Sequence, residues 1–146
     1  MRGLIILFLI AASTRLTAAP SPSIVGDWQE PTGSVIRIEA CGDTLCMRIV
    51  ALGPQAPLTD IHNPDRAQRA VPLCGLVIGS RFHLTDGSHA IGGALYDPKS
   101  GNTYRGTMTL EAGSLKLRGY VGIPLFGKSE VWHRPPGGFT QCRIHH

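Results

Sequence analysis

The chain has 146 residues, 42% of them hydrophobic, with 14 Lys and Arg against 10 Asp and Glu. That length suits one domain large enough to bury its own core. The two signs of charge are interspersed along the chain, which argues against the basic face of a nucleic-acid binder and leaves nucleic acid off the list of expected partners.

At the N-terminus, Arg2 precedes an unbroken apolar run from Leu4 to Ala12. A bilayer-spanning helix needs about 20 apolar residues, so this run predicts a secretion signal over 1–19 rather than an anchor. The expected product is a periplasmic or secreted protein, not transmembrane after signal cleavage, with a single domain over 20–146. Removing Arg2 and Arg15 leaves 12 basic residues against 10 acidic ones, a net of +2.

A first strand is predicted over Ile24 to Gln29. Val35 to Cys41 then alternates, with Ile36, Ile38 and Ala40 on one face and Val35, Arg37, Glu39 and Cys41 on the other. Leu45 to Leu52 repeats the pattern: Leu45, Met47, Ile49 and Ala51 face in, while Cys46, Arg48 and Val50 face out. Gly42-Asp43-Thr44 between the two runs is a hairpin signal. Gly53 to Val71 is a long connection, with prolines at 54, 57, 64 and 72 in or just beyond it. Strand character resumes from Leu73 to Leu84, with a break expected at Gly79-Ser80.

Asp86-Gly87 turns, and His89 to Tyr96 is a glycine-rich strand. Asp97-Pro98-Lys99-Ser100-Gly101 is a strong turn, since proline presets its first dihedral and glycine supplies a left-handed position. Tyr104, Gly106, Met108 and Leu110 alternate with Thr103, Arg105, Thr107 and Thr109. After the turn at Glu111-Ala112-Gly113-Ser114, Leu115, Leu117, Gly119 and Val121 alternate with Lys116, Arg118 and Tyr120. A last strand runs from Lys128 to about Arg134. The link from Tyr120 to Gly127 is unusual, because Ile123, Pro124, Leu125 and Phe126 are apolar where a polar turn is expected.

About eight strands joined mostly by short turns predict an all-β fold, an antiparallel up-and-down barrel, with a two-sheet β-sandwich as the alternative. Glycines at 92, 93, 106 and 119 fit strands that bend sharply or pack closely. Four cysteines in an exported chain point to disulfides, and three pairings are conceivable. The strand pattern puts Cys41 and Cys46 together on the outer face of one hairpin, which leaves Cys74 to pair with Cys142. The competing expectation is that Cys74 and Cys142 stay free, because Cys74 lies in an apolar run.

Candidate chemistry is sparse. His62, His83, His89 and His133 show no ligand spacing, so no metal and no cofactor are expected, although His145-His146 could bind a metal adventitiously. There is no Gly-x-Ser-x-Gly elbow, no cysteine beside a histidine, and no glycine-rich phosphate cradle. No catalytic residue is therefore nominated.

Several blocks together resemble a known family. They are Ile24-Val25-Gly26-Asp27-Trp28, Cys41-Gly42 through Leu45-Cys46-Met47-Arg48-Ile49-Val50, Asp60 through Asn63-Pro64-Asp65, Tyr96-Asp97-Pro98 through Gly101-Asn102-Thr103-Tyr104, and Leu117-Arg118-Gly119-Tyr120 through Gly127 and Trp132. In order and spacing they resemble the bacterial exported family called domain of unknown function 2147. The resemblance implies a small lipocalin-like (calycin) barrel, secreted or periplasmic, and no established activity. Gly26-Asp27-Trp28 is also similar to the Gly-x-Trp start of lipocalins, which implies a structural role for Trp28 at the barrel's closed end beneath Arg134. The chain departs from the family pattern at Val71, where a basic residue is expected, at Cys74 and Cys142, and around His89-Ala90, where a Trp is missing.

Two functions compete. In the first, the barrel binds a small hydrophobic ligand, with Tyr120, Ile123, Leu125 and Phe126 at its mouth and Asp60, Asn63 and Arg69 as its few polar groups. In the second, the barrel is filled, and the apolar loop contacts an envelope protein or membrane surface. An enzyme of unknown chemistry ranks third. The preferred role for Asp60 and Asn63 is turn formation, and alternation places Arg118 and Tyr120 on the outer face.

Overall fold

The computed structural model describes residues 21–143, so the predicted signal and the tail histidines lie outside the described residues. Eight strands follow one another along the chain: β1 (Gly26–Gln29), β2 (Val35–Cys41), β3 (Thr44–Ala51), β4 (Val77–Asp86), β5 (His89–Asp97), β6 (Asn102–Glu111), β7 (Ser114–Tyr120) and β8 (Lys128–Trp132). They form one antiparallel sheet in sequence order. The sheet curls until Gln29, ending β1, exchanges two backbone hydrogen bonds with His133, just past β8 (N···O 2.7 and 3.2 Å). This nearly closed barrel is the expected up-and-down architecture. The β-sandwich alternative fails because a single sheet wraps on itself.

The connections sort by end. Two-residue turns join β2 to β3, β4 to β5 and β6 to β7 at one end. In the last of these, Ala112 and Gly113 both have positive φ (47° and 81°), as in the primed turns that match strand twist. The other end carries the longer links at 30–34, 52–76, 98–101 and 121–127, with one-turn 3₁₀ segments at Arg66–Gln68 and Pro124–Phe126.

The half nearest the tight turns is filled. Phe82 is fully buried there, and its ring occupies the space beside Gly93 and Gly106. A Cβ at Gly93 would overlap that ring, and one at Gly106 would approach it to 2.9 Å. Gly92 (φ 72°) sits at a register shift between β5 and β6, so the neighbouring glycines serve different ends: one bends the strand and the other admits an aromatic ring. Met47, Met108, Ile38, Ala90 and Leu115 complete this core.

Trp28 closes the end. It is fully buried, donates from Nε1 to the Ile24 carbonyl (2.7 Å), and has the Arg134 guanidinium 3.7 Å from its ring centroid. Arg134 also donates to the carbonyls of Asp27 (3.2 Å) and Ser23 (2.6 Å). Gly26 adopts φ 127°, and a Cβ there would come within 2.6 Å of Arg134 Nη1. The Gly-x-Trp spacing thus has a local cause, with the glycine leaving room for the arginine that covers the tryptophan.

Both expected disulfides are present, Cys41–Cys46 across the hairpin and Cys74–Cys142 at a sequence separation of 68. The second holds the tail along the outside of the barrel, where Cys142 N donates to the Val50 carbonyl (2.8 Å) and Phe139 packs over Val35, Val50 and Ala51.

Three local expectations need correction. β4 begins at Val77 instead of Leu73. Leu73 is buried in the core, but Leu76 N bonds back to its carbonyl, so 73–76 is a turn whose apolar residues mimic a strand. Ala40 is exposed rather than inward, because the β2–β3 hairpin runs past the point where β1 covers it. The irregularity expected at Gly79-Ser80 falls one residue on, where Arg81 has φ 60° and the β3–β4 register shifts.

Candidate functional site

The half of the barrel beneath the long loops is hollow. A cavity of about 840 Å³ opens at that end, within the ~300–1,000 Å³ typical of ligand sites. Its inner wall is apolar and comes from strand alternation: Ile36 on β2, Ile49 on β3, Ile78 on β4, Leu95 on β5 and Leu117 on β7. Tyr104 enters from β6, Trp132 and Glu130 from β8, and Gly119 lends its missing side chain as volume. The rim is built by Thr32, Pro54, Pro57, His62, Lys99, Val121 and Phe126.

Three hydrogen-bonded clamps hold the rim in shape. At the first, Glu30 is buried (7% exposed) at the start of the β1–β2 link. Its carboxylate accepts from the Thr32 hydroxyl and backbone N–H (2.9 Å for the latter), from Ser34 N (3.0 Å), and from Lys99 Nζ across the mouth (2.9 Å). Burial by itself would raise the Glu30 pKa, but the donors from Thr32, Lys99 and Ser34 outweigh it and hold the group below its ordinary 4.5.

The second clamp fixes the 52–76 loop. Asp60 is 2% exposed and accepts from the Tyr96 hydroxyl (2.7 and 2.9 Å) and from Asn63 Nδ2 (2.7 Å). Burial and then the Asp60 carboxylate push the Tyr96 pKa up to about 12. Arg69 Nε donates to the Asn63 carbonyl (2.8 Å), and Gly101 (φ 73°) lets the His62 carbonyl approach the β5–β6 turn where no side chain would fit. The third clamp is Arg118, which donates to the Pro124 carbonyl (2.8 Å) and to Ser129 Oγ (3.0 Å), fixing the 3₁₀ turn of the β7–β8 link.

The residues nominated from sequence fall into three groups. Tyr120 and Phe126 border the cavity. Ile123 and Leu125 share the same link but point away from the cavity (52% and 76% exposed), and Phe126 is itself 77% exposed. Asp60, Asn63 and Arg69 build the loop and do not line the cavity. Tyr120 pairs with Arg105 on the outer side of the strand register, as alternation requires, yet it is only 9% exposed. The link folds back so closely that a Cβ at Gly127 would lie 2.9 Å from Tyr120 Cβ, and this covers the ring's base.

Sequence reading missed Glu30, Tyr96, Lys99, Tyr104 and Lys128, which also border the cavity. Tyr104 carried a usable signal, since it shares the inward face with Gly106 and Met108. Glu30 and Lys99 carried none, because each sits in an ordinary turn and their partnership spans 69 residues.

Ser88, His89 and Asp86 meet in the β4–β5 turn, where Ser88 Oγ (2.9 Å) and Asp86 (3.0 Å) both contact His89 Nδ1. A nucleophilic relay needs serine and carboxylate on opposite ring nitrogens, so this is a turn network. Hydrogen bonds from Ser88, then His89, hold the Asp86 pKa down at about 2. Among the described residues no group of three or more His, Cys, Asp or Glu is placed to hold a metal ion, and no helix is long and apolar enough to cross a membrane.

Comparison with known proteins agrees with this geometry. The model of a family described as "Uncharacterized protein conserved in bacteria (DUF2147)" matches residues 26–134, from the Gly26 that leaves room for Arg134 to Arg134 itself. Among solved structures, protein HP1028 from the human pathogen Helicobacter pylori, described as belonging to the lipocalin family, superposes with a TM-score of 0.76. The match covers 86% of this chain and 94% of that one at 17% identity, a likeness of fold. Among curated proteins, no sequence matches this chain.

Proposed function

The chain belongs to this bacterial family of uncharacterized proteins, and from that premise we propose that it is an exported binding protein that holds a small, largely apolar molecule in its calyx. The observation that carries this reading is the cavity of about 840 Å³, open at one end and floored by a packed core. A concave, largely apolar space of that size with a few polar groups at its rim is the usual form of a small-molecule site. Two disulfides fit an oxidising compartment, extracellular or periplasmic, and support the signal proposed for 1–19. The cavity bordered by Ile36, Ile49, Ile78, Leu95 and Leu117 supports this reading over the filled-barrel alternative, which calls for a solid core up to the rim.

Gly119 offers the test. It faces the cavity, its φ is ordinary, and a Cβ there would have only van der Waals neighbours, Tyr104 at 3.5 Å and Leu95 at 3.7 Å. Gly119→Leu should therefore fill the calyx without unfolding the barrel. Native mass spectrometry of the oxidised protein from periplasm is expected to show a co-purifying small molecule, absent from Gly119→Leu. A wild-type protein that flies bare, and whose thermal unfolding no panel of apolar probes shifts, would sink the calyx reading.

A further inference from the structure

The outer wall of the barrel carries a second concavity, a groove of about 580 Å³ over β4, β5 and β6. Arg81, Gly92, Gly93, Ala94, Thr103 and Arg105 border it, and it shares Tyr104, Tyr120 and Val121 with the calyx wall. Two bulges lie side by side beneath it. On β4, Gly79 pairs with Met47 and Phe82 with Leu45, so Ser80 and Arg81 occupy a stretch where β3 has one residue. On β5, Ala90 pairs with Met108 and Gly93 with Gly106, so Ile91 and Gly92 stand opposite Thr107 alone. One residue of each bulge is left-handed, Arg81 at φ 60° and Gly92 at φ 72°. Glycine adopts that backbone freely and arginine rarely does, and a bulge re-aims the side chain it carries.

The charges facing this groove are unmatched. Of the arginines on strands, Arg37 is held by Asp27, Arg48 by Glu39, and Arg118 by the Pro124 carbonyl. Arg81 and Arg105 are exposed, and among the described residues neither makes an ion pair or a side-chain hydrogen bond. No carboxylate borders the groove. The acidic residues of β4 to β6 sit at the strand ends, Asp86 and Glu111 in the tight turns and Asp97 at the calyx mouth, while Glu130 of β8 borders the calyx. Ala94 pairs with Ser80 on one side and Arg105 on the other, so β5 alone separates the two arginine-bearing strands, about 10 Å apart. Two like charges so placed repel, and an anion between them removes the repulsion.

We infer that this groove binds a phosphate monoester, with Arg81 and Arg105 closing on the phosphoryl oxygens from either side and the Thr103 hydroxyl beside them. The planar fork of arginine matches phosphate bidentately. Two such forks balance the charge of about −2 that a monoester carries near neutral pH, whereas a single carboxylate would leave one arginine unmatched. Gly92 and Ala94 put no bulk over the floor, so the group can come down between the two side chains. The inference stands whether or not the calyx holds a ligand.

The test is an amide NMR titration of the full oxidised protein with glycerol 3-phosphate at fixed ionic strength. Saturable shifts are expected at Gly92, Gly93, Ala94 and Thr103. Arg81→Gln and Arg105→Gln should each raise Kd by about tenfold or more, and Arg105→Lys should recover only part of the loss, because an ammonium lacks the fork. Arg81→Gly, which suits the left-handed backbone, should keep the fold and lose binding to the same extent. Arg66→Gln, which removes an exposed arginine without an ion pair from the 52–76 loop, should change nothing. Gly119→Leu should bind the probe as wild type does. Glycerol 3-phosphate is also the headgroup of phosphatidic acid, so flotation with phosphatidylcholine vesicles containing that lipid separates the sources. Flotation lost in Arg105→Gln identifies a lipid phosphate, and no flotation identifies a soluble ester. Absence of saturable shifts at millimolar probe, equal losses from Arg66→Gln and Arg105→Gln, or equal affinity for acetate would each overturn the inference.

Discussion

Gly93 and Gly119 both face the barrel interior, yet adding one methyl group should do opposite things. At Gly93 the new carbon overlaps the Phe82 ring inside a filled core that also holds Met47 and Met108. At Gly119 it meets only ordinary contacts at the edge of a cavity. Gly93→Ala is expected to cost about 1–3 kcal/mol, and Gly119→Ala to stay within about 0.5 kcal/mol, as measured by denaturant unfolding. The sequence marked both glycines as strand irregularities but could not separate them, because the difference lies in Phe82, eleven residues from one and far from the other. Tyr120 makes the same point. Its strand face was legible from alternation, and its burial was not, because that depends on the path of residues 121–127.

Among the elements, the hairpins were readable and the long loop was not. Alternation in Val35 to Cys41 and Leu45 to Leu52, around Gly42-Asp43, dictated register, inward face and the first disulfide together, since a one-residue slip would expose Ile36, Ile38, Met47 and Ile49. The 52–76 loop has no such periodicity. Its shape comes from the Asp60 carboxylate meeting Tyr96, 36 residues away, and from Gly101 admitting a carbonyl. The two disulfides should differ in strength for a reason visible at this scale. Closing 5 residues removes little freedom from the unfolded chain and closing 68 removes much, about 2 against about 4 kcal/mol. Replacing Cys74 and Cys142 by Ser should therefore lower the melting temperature more than replacing Cys41 and Cys46, measured on the two double variants side by side.

For the whole barrel, acid sensitivity should centre on Glu30, which ties the β1–β2 link to the β5–β6 turn across the mouth. Its pKa in the fold lies below the ordinary 4.5, so folding favours the ionised form. The resulting stabilisation is complete above 4.5 and is lost as the pH falls through the lowered value. Glu30→Gln should cost about 1–2 kcal/mol near neutral pH and flatten the acid limb of the stability–pH curve, as read from denaturant unfolding across that range. An unchanged acid limb would mean that other carboxylates set it.

The Cys74–Cys142 bond has a mechanical consequence. Every strand from β4 to β8 lies inside the covalent loop it closes. A force applied to the two ends of the chain passes from the tail through this bond into the 52–76 loop and never reaches β8 in series. Such a pull can peel β1, β2 and β3 from the barrel, but about 240 Å of contour stays locked until the bond is reduced. The remaining five strands would travel as one intact load-bearing block.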